Sequence, residues 1–197
     1  MQGKSSKSSV RRRRAGPRPP DLPDSNLRCV YTEKQVQKRV GELARQIDRD
    51  YQGRTLHVVG ILEDGFMFMA DLVRRLTIPV ICHFMKAEIT DVSAGGTQQR
   101  EIVYTPKVEA AGRDVLLVTG IVQSGLTLDH LYSYVLARNP SSVRTASLIE
   151  KSEERKVDVS TDYLGFRSKE KFLVGYGLGY QEMYRNLPFV GRLARAG

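Results

Sequence analysis

The chain has 197 residues, 41% of them hydrophobic, and a formal net charge of +9, which suits one globular domain with a substantial core. No apolar run reaches the roughly 18–20 residues that a membrane-crossing helix needs, and no apolar N-terminal segment suggests a signal peptide. The expectation is therefore a soluble, cytoplasmic protein with no membrane span. Two cysteines, Cys29 and Cys82, are too few for a disulfide framework and lack metal-ligand spacing, so both are expected to be packed thiols and no metal site is expected.

The charge is concentrated at the start. Before Ser25 there are seven basic residues, four of them consecutive (Arg11 to Arg14), against Asp21 and Asp24. This Ser-, Gly-, Pro- and Arg-rich stretch cannot bury enough apolar surface to offset its ordering entropy, so residues 1–27 read as a disordered basic tail before a domain over 28–197. Such a run could hold a polyanion weakly through counterion release.

The folded part begins near Val30. Thr32 and Gln35 form a capping-box pattern, and Val36, Val40, Leu43 and Ile47 follow at helical spacing, giving a helix with one buried face. "LHVVGIL" (56–62) reads as a buried strand ending at Asp64-Gly65, and "FMFMADLVRRL" as the next helix. "PVICHFMKA" (79–87) supplies a strand. The polar segment "EITDVSAGGTQQRE" (88–101) reads either as a mobile lid or as a long hairpin connection. A third unit follows, with "DVLLVTGI" (114–121), a turn and a helix near Thr127–Ala137. "VRTASLIEK" (143–151) and "KFLVGYG" (171–177) are further strands. Strands apolar on both faces and alternating with helices indicate a parallel α/β sheet. Ligands bind such sheets beyond the carboxyl ends of the strands, so the loops after Leu62, Ile121 and Lys151 are the informative ones. His57, His83 and His130 share no motif and read as structural.

Four blocks, "VVGILEDGFMFMADL", "VLLVTGIVQSGLTL", "VRTASLIEKS" and "KFLVGYGLGYQEMYRNLP", resemble hypoxanthine-guanine phosphoribosyltransferases in order and spacing over about residues 30–190. The resemblance implies a type I phosphoribosyltransferase fold, a central parallel sheet flanked by helices with a small hood. It also implies transfer of ribose 5-phosphate from phosphoribosyl pyrophosphate to a purine, with magnesium where the enzyme is active. Ser124, Gly125, Leu126 and Thr127 fall on the family's 5′-phosphate loop, where a helix N-terminus holds the dianion. Lys151, Phe172 and Leu173 fall on the purine-binding positions. Glu63, Asp64 and Gly65 occupy the pyrophosphate loop, and Arg185 matches an arginine that contacts pyrophosphate.

The departures are as informative. The family's acidic pair at the strand end, which binds the ribose hydroxyls, corresponds to Thr119 and Gly120, and its proton-accepting Asp corresponds to Gln123, which cannot accept a proton near neutral pH. Glu63 and Asp64 stand where a pyrophosphate loop usually carries a cation and small residues. The family's late Asp is Gly179, the lid's usual Ser-Tyr pair is absent from 88–101, and the phosphate loop's usual Lys is Leu126. The leading expectation is a pseudoenzyme-like nucleotide-binding protein that retains purine 5′-monophosphate contacts and is catalytically impaired. The second is an active purine-salvage enzyme using Asp91, Glu63 or Asp64 as a substitute base. The third is a scaffold or nucleic-acid-associated protein acting through its Arg-rich tail. A homo-oligomer, dimer or tetramer, is the expected assembly.

Overall fold

A computed structural model describes residues 27–94, 97–105 and 108–194, and their side chains outside 87–107. Residues 1–26 of the expected basic tail lie outside the described residues, while Leu27, assigned to the tail, is the first residue of β1. The elements run β1 (Leu27–Tyr31), α1 (Glu33–Asp50), β2 (Leu56–Leu62), α2 (Phe66–Val73), β3 (Val80–Ala94), β4 (Thr97–Thr105), β5 (Asp114–Val122), α3 (Leu126–Leu136), β6 (Ser142–Glu150), β7 (Tyr163–Arg167), β8 (Leu173–Val174) and β9 (Val190–Leu193), with a single 3₁₀ turn at Ser152–Glu154.

The main sheet has the order β4-β3-β2-β5-β6-β7. Five of its strands are parallel, and β4 pairs antiparallel with β3. Residues 88–94 and 97–101 thus pair as antiparallel strands at the sheet's edge, in line with the hairpin reading of this segment. The second sheet is small and antiparallel, in the order β1-β9-β8, and it forms the hood. The late strand expected over 171–177 is only two residues long. Beyond it the chain turns through Gly175, Tyr176 and Gly177, all with positive φ.

Local sequence accounts for the helices. Thr32 caps α1 in a full capping box with Gln35, and Val36, Val40, Leu43, Ala44 and Ile47 are buried against the sheet. Each fully buried aliphatic side chain contributes roughly 1.5–3 kcal/mol relative to exposure. The central strands β2 and β5 are buried along almost their whole length because helices cover both faces. Arg39 fixes α1 to β7 through the carbonyls of Gly165 (2.9 Å) and Leu164 (2.7 Å). Tyr176 ties the hood to α2, donating to Asp71 Oδ2 at 2.6 Å. Burial and the Asp71 carboxylate both push the Tyr176 phenol up.

Two sequence expectations need correction or detail. Cys29 and Cys82 are exposed rather than packed. Cys29 lies on β1, at an edge of the small sheet, and Cys82 on the part of β3 where Ile81 and Phe84 are also exposed. Two of the three histidines are paired: His57 Nδ1 lies 3.1 Å from His83 Nε2 with the rings stacked, and Arg113 stands 3.3 Å from His57 Nε2. Desolvation, then the Arg113 charge, pushes the His57 imidazole down, so it stays neutral near pH 7. His57 is the second residue of β2, at the end of the sheet away from the strand termini that carry the pocket.

Candidate active site

A cavity of about 580 Å³ opens where the carboxyl ends of β2 and β5 meet the N-terminus of α3 and the turn after β8. Its position follows from topology, since β2 and β5 are adjacent parallel strands and their following loops diverge to cover opposite faces. Of the residues singled out from sequence, Glu63, Asp64, Thr119, Gln123, Ser124, Gly125, Thr127, Leu173 and Arg185 line this one cavity. Gly65, Gly120, Leu126, Lys151 and Phe172 do not.

The phosphate end is built on α3. Gly125 caps the helix at φ +83°, a conformation L side chains rarely adopt, and Ser124 Oγ accepts from the Leu126 N–H at 3.4 Å. The Ser124 carbonyl is held from behind by the Lys156 N–H at 2.9 Å. The loop therefore presents helix N-terminal amides and the Ser124 and Thr127 side chains to the cavity, a polar cradle for a dianion. Leu126 is exposed and does not line the cavity.

On the opposite side, Glu63 is held between two cations. Its carboxylate accepts from Arg185 Nη2 at 3.0 Å and lies 3.6 Å from Lys86 Nζ. Arg185 also donates to the Gly177 carbonyl at 2.9 Å, while its buried Nε has no hydrogen-bond partner. A side chain at Gly179 would meet that Nε at 2.8 Å. Lys86 was not anticipated from sequence. The signal was available, because the parallel register pairs Leu62 with Lys86 and so brings the end of the 79–87 strand to the same carboxyl edge.

Asp64 lines the same cavity. Burial pushes its carboxyl up to about 6, against the lowering effects of the Gly120 N–H and the Arg185 charge. The main chain of its loop rests on glycines, since a Cβ on Gly120 would lie 2.3 Å from the Asp64 carbonyl oxygen and one on Gly177 2.6 Å from it. Thr119 is 5% exposed and turns its hydroxyl back to the Ile121 carbonyl at 3.4 Å. Gln123 is exposed on the cavity wall.

The purine-binding candidates lie mostly behind the wall. Lys151, at 2% exposure, donates to the Lys171 carbonyl and to Glu154 Oε1 at 3.1 Å, so two of its three N–H donors already have protein acceptors. Phe172 is half-buried and meets Tyr180 edge-on at 6.3 Å between ring centroids. Leu173, next in sequence, reaches the cavity together with Leu178. The described residues contain no group of three or more His, Cys, Asp or Glu able to hold a metal ion, so they do not fit a magnesium held by protein ligands alone.

Residues 29–181 match the phosphoribosyl transferase domain. A hypoxanthine-guanine phosphoribosyltransferase of Dictyostelium discoideum is 41% identical over 168 residues, covering 83% of this chain and 93% of that one. The Aquifex aeolicus protein of the same name is 36% identical over 171 residues, covering 86% and 96%. A solved hypoxanthine phosphoribosyltransferase from Staphylococcus aureus superposes with a TM-score of 0.79 at 32% identity, covering 89% of this chain and 96% of that one. The Trypanosoma cruzi enzyme in complex with the product IMP does so at 0.76 and 33%, covering 84% and 93%. The parallel sheet with its antiparallel hood is the type I phosphoribosyltransferase fold. The chain belongs to the phosphoribosyltransferase family, among relatives of the hypoxanthine-guanine type.

Proposed function

We propose that the cavity binds a purine 5′-monophosphate, with its phosphate on Ser124–Thr127, and that it transfers ribose 5-phosphate from phosphoribosyl pyrophosphate only slowly. The observation that carries this reading is the engagement of Arg185 and Lys86 by Glu63. A pyrophosphate would have to displace a carboxylate already seated on both cations, and would meet Asp64 beside it. At about 4 Å each like-charge contact costs roughly 1–4 kcal/mol depending on local dielectric. The phosphate cradle at α3 has no such competitor, since neither carboxylate is on its loop. Gln123 supplies no proton acceptor at its position, and positioned acid–base help is typically a 10²- to 10⁴-fold effect. The relatives' names and the IMP held by the Trypanosoma cruzi enzyme support a purine as the base.

A second reading, an active purine-salvage transferase with a substitute carboxylate, is favoured by Asp64, which stands in the cavity with its carboxyl titrating at about 6, near a useful operating pH for a general base. The side chain of Asp91, another substitute considered, lies outside the described residues. A steady-state assay with magnesium, phosphoribosyl pyrophosphate and hypoxanthine or guanine separates the two readings. Slow transfer means at least about 10³-fold below a typical turnover near 10 s⁻¹. Turnover within about tenfold of that typical value would overturn it in favour of the active transferase.

A further inference from the structure

We infer that Asp64 is the residue that recognises the ribose hydroxyls of the bound nucleotide, in place of any carboxylate at the end of β5. This rests on the reading that the cavity takes a purine 5′-monophosphate. Among the described residues lining the cavity, Glu63 and Asp64 are the two carboxylates, and Glu63 is committed to Arg185 and Lys86. Asp64 retains accepting capacity. A carboxylate has about four lone-pair sites, and backbone N–H groups nearby, that of Gly120 first, favour its charged form without using them all. Asp64 shares the cavity with the Ser124–Thr127 cradle and with Leu173 and Leu178, so a nucleotide with its phosphate on that cradle and its base against those apolar side chains has its sugar in the same cavity as the carboxylate.

The geometry also explains why the acid comes from this loop. The loop main chain lies in the space a side chain at Gly120 would need, at 2.3 Å from an added Cβ, and Gly177 lets it approach equally from the hood side. A carboxylate on residue 120 and this loop path exclude each other. With glycine at residue 120, the loop main chain packs against the end of β5, and Asp64 brings a carboxyl group into the cavity from this facing loop. Acceptance from a vicinal diol by a partly desolvated carboxylate is a charge-assisted contact, which a deoxyribose can satisfy only by half.

The test is calorimetric titration of guanosine 5′-monophosphate and its 2′-deoxy analogue into wild type, Asp64→Asn and Asp64→Ala, with thermal melts to verify folding. Wild type is expected to prefer the ribonucleotide about tenfold, and both variants to prefer it less than about twofold, with binding of the deoxynucleotide little changed. The wild-type preference is expected to shrink at pH 5, where the carboxyl is protonated. Equal binding of the two nucleotides to wild type, or a preference that survives in both variants, would overturn the inference while leaving the monophosphate reading intact. Failure of wild type to bind either nucleotide would overturn both.

Discussion

Replacing Asp64 by asparagine should stabilise the protein at neutral pH and leave its stability nearly unchanged at pH 4. In the folded chain the carboxyl keeps its proton up to about 6, because burial outweighs the Gly120 N–H and the Arg185 charge. In the unfolded chain it titrates near 4. Between those values the folded state binds more protons, so stability contributed by the neutral acid is present at low pH and lost as pH rises through 6. At about 1.36 kcal/mol per pH unit, a displacement of about two units gives at most roughly 3 kcal/mol. Because the side chain is partly open to the cavity, about 1–3 kcal/mol is the working figure. For a chain of this size that is a rise in melting temperature of about 3–8 °C for Asp64→Asn at pH 7.5, with little difference at pH 4. Urea unfolding of wild type and variant between pH 4 and 8 measures it directly. A variant less stable than wild type at pH 7.5, or a difference independent of pH, would refute the placement of Asp64 in a desolvated site. The sign matters because a carboxylate held by the protein at a cost in stability is the pattern of a functional group, not of a structural ion pair.

Other outcomes follow from the same contacts. Gly120→Asp, which would restore an acid at the strand end, should instead lower stability by about 1–3 kcal/mol through overlap with the Asp64 carbonyl and should not raise transferase activity, as paired melting and rate measurements would check. Glu63→Gln should release Arg185 and Lys86 and tighten phosphoribosyl pyrophosphate binding by about tenfold or more, measured by calorimetry, because one charge–charge repulsion is removed and two cations are freed. Gly125→Ala should weaken monophosphate binding and lower stability, since the residue sits at φ +83° and the added methyl would lie 2.8 Å from Arg155 Nη1.

The parts of this molecule that were legible in the sequence are those governed by local rules. The α1 capping box, its buried stripe from Val36 to Ile47, and the β2 run over 56–62 depend on residues a few positions apart, and each forms as its pattern dictates. The hood was expected from the family resemblance and not from periodicity. Its strands β1, β8 and β9 are two to five residues long and pair across the length of the chain, so no periodicity could announce them. At the site, the loops after Leu62 and Ile121 meet in one cavity and the one after Lys151 does not, and side-chain partners were invisible. Lys151, placed at a purine-binding position by the resemblance, is buried on Glu154 and the Lys171 carbonyl, partners that no local spacing announces. Glu63 and Asp64 read alike as two repelling acids. The structure separates them, one facing Arg185 and Lys86, the other resting over Gly120, because the glycines at 120 and 177 let the loop descend between β5 and the hood.

The proposed function is tested most directly by titrating inosine or guanosine 5′-monophosphate and phosphoribosyl pyrophosphate, the latter with magnesium, into the same preparation by calorimetry. Occupation of the phosphate cradle without competition from Glu63 predicts a monophosphate Kd of roughly 10–1,000 μM, about −4 to −7 kcal/mol, and weaker binding of phosphoribosyl pyrophosphate. Tighter binding of phosphoribosyl pyrophosphate than of either monophosphate would contradict it.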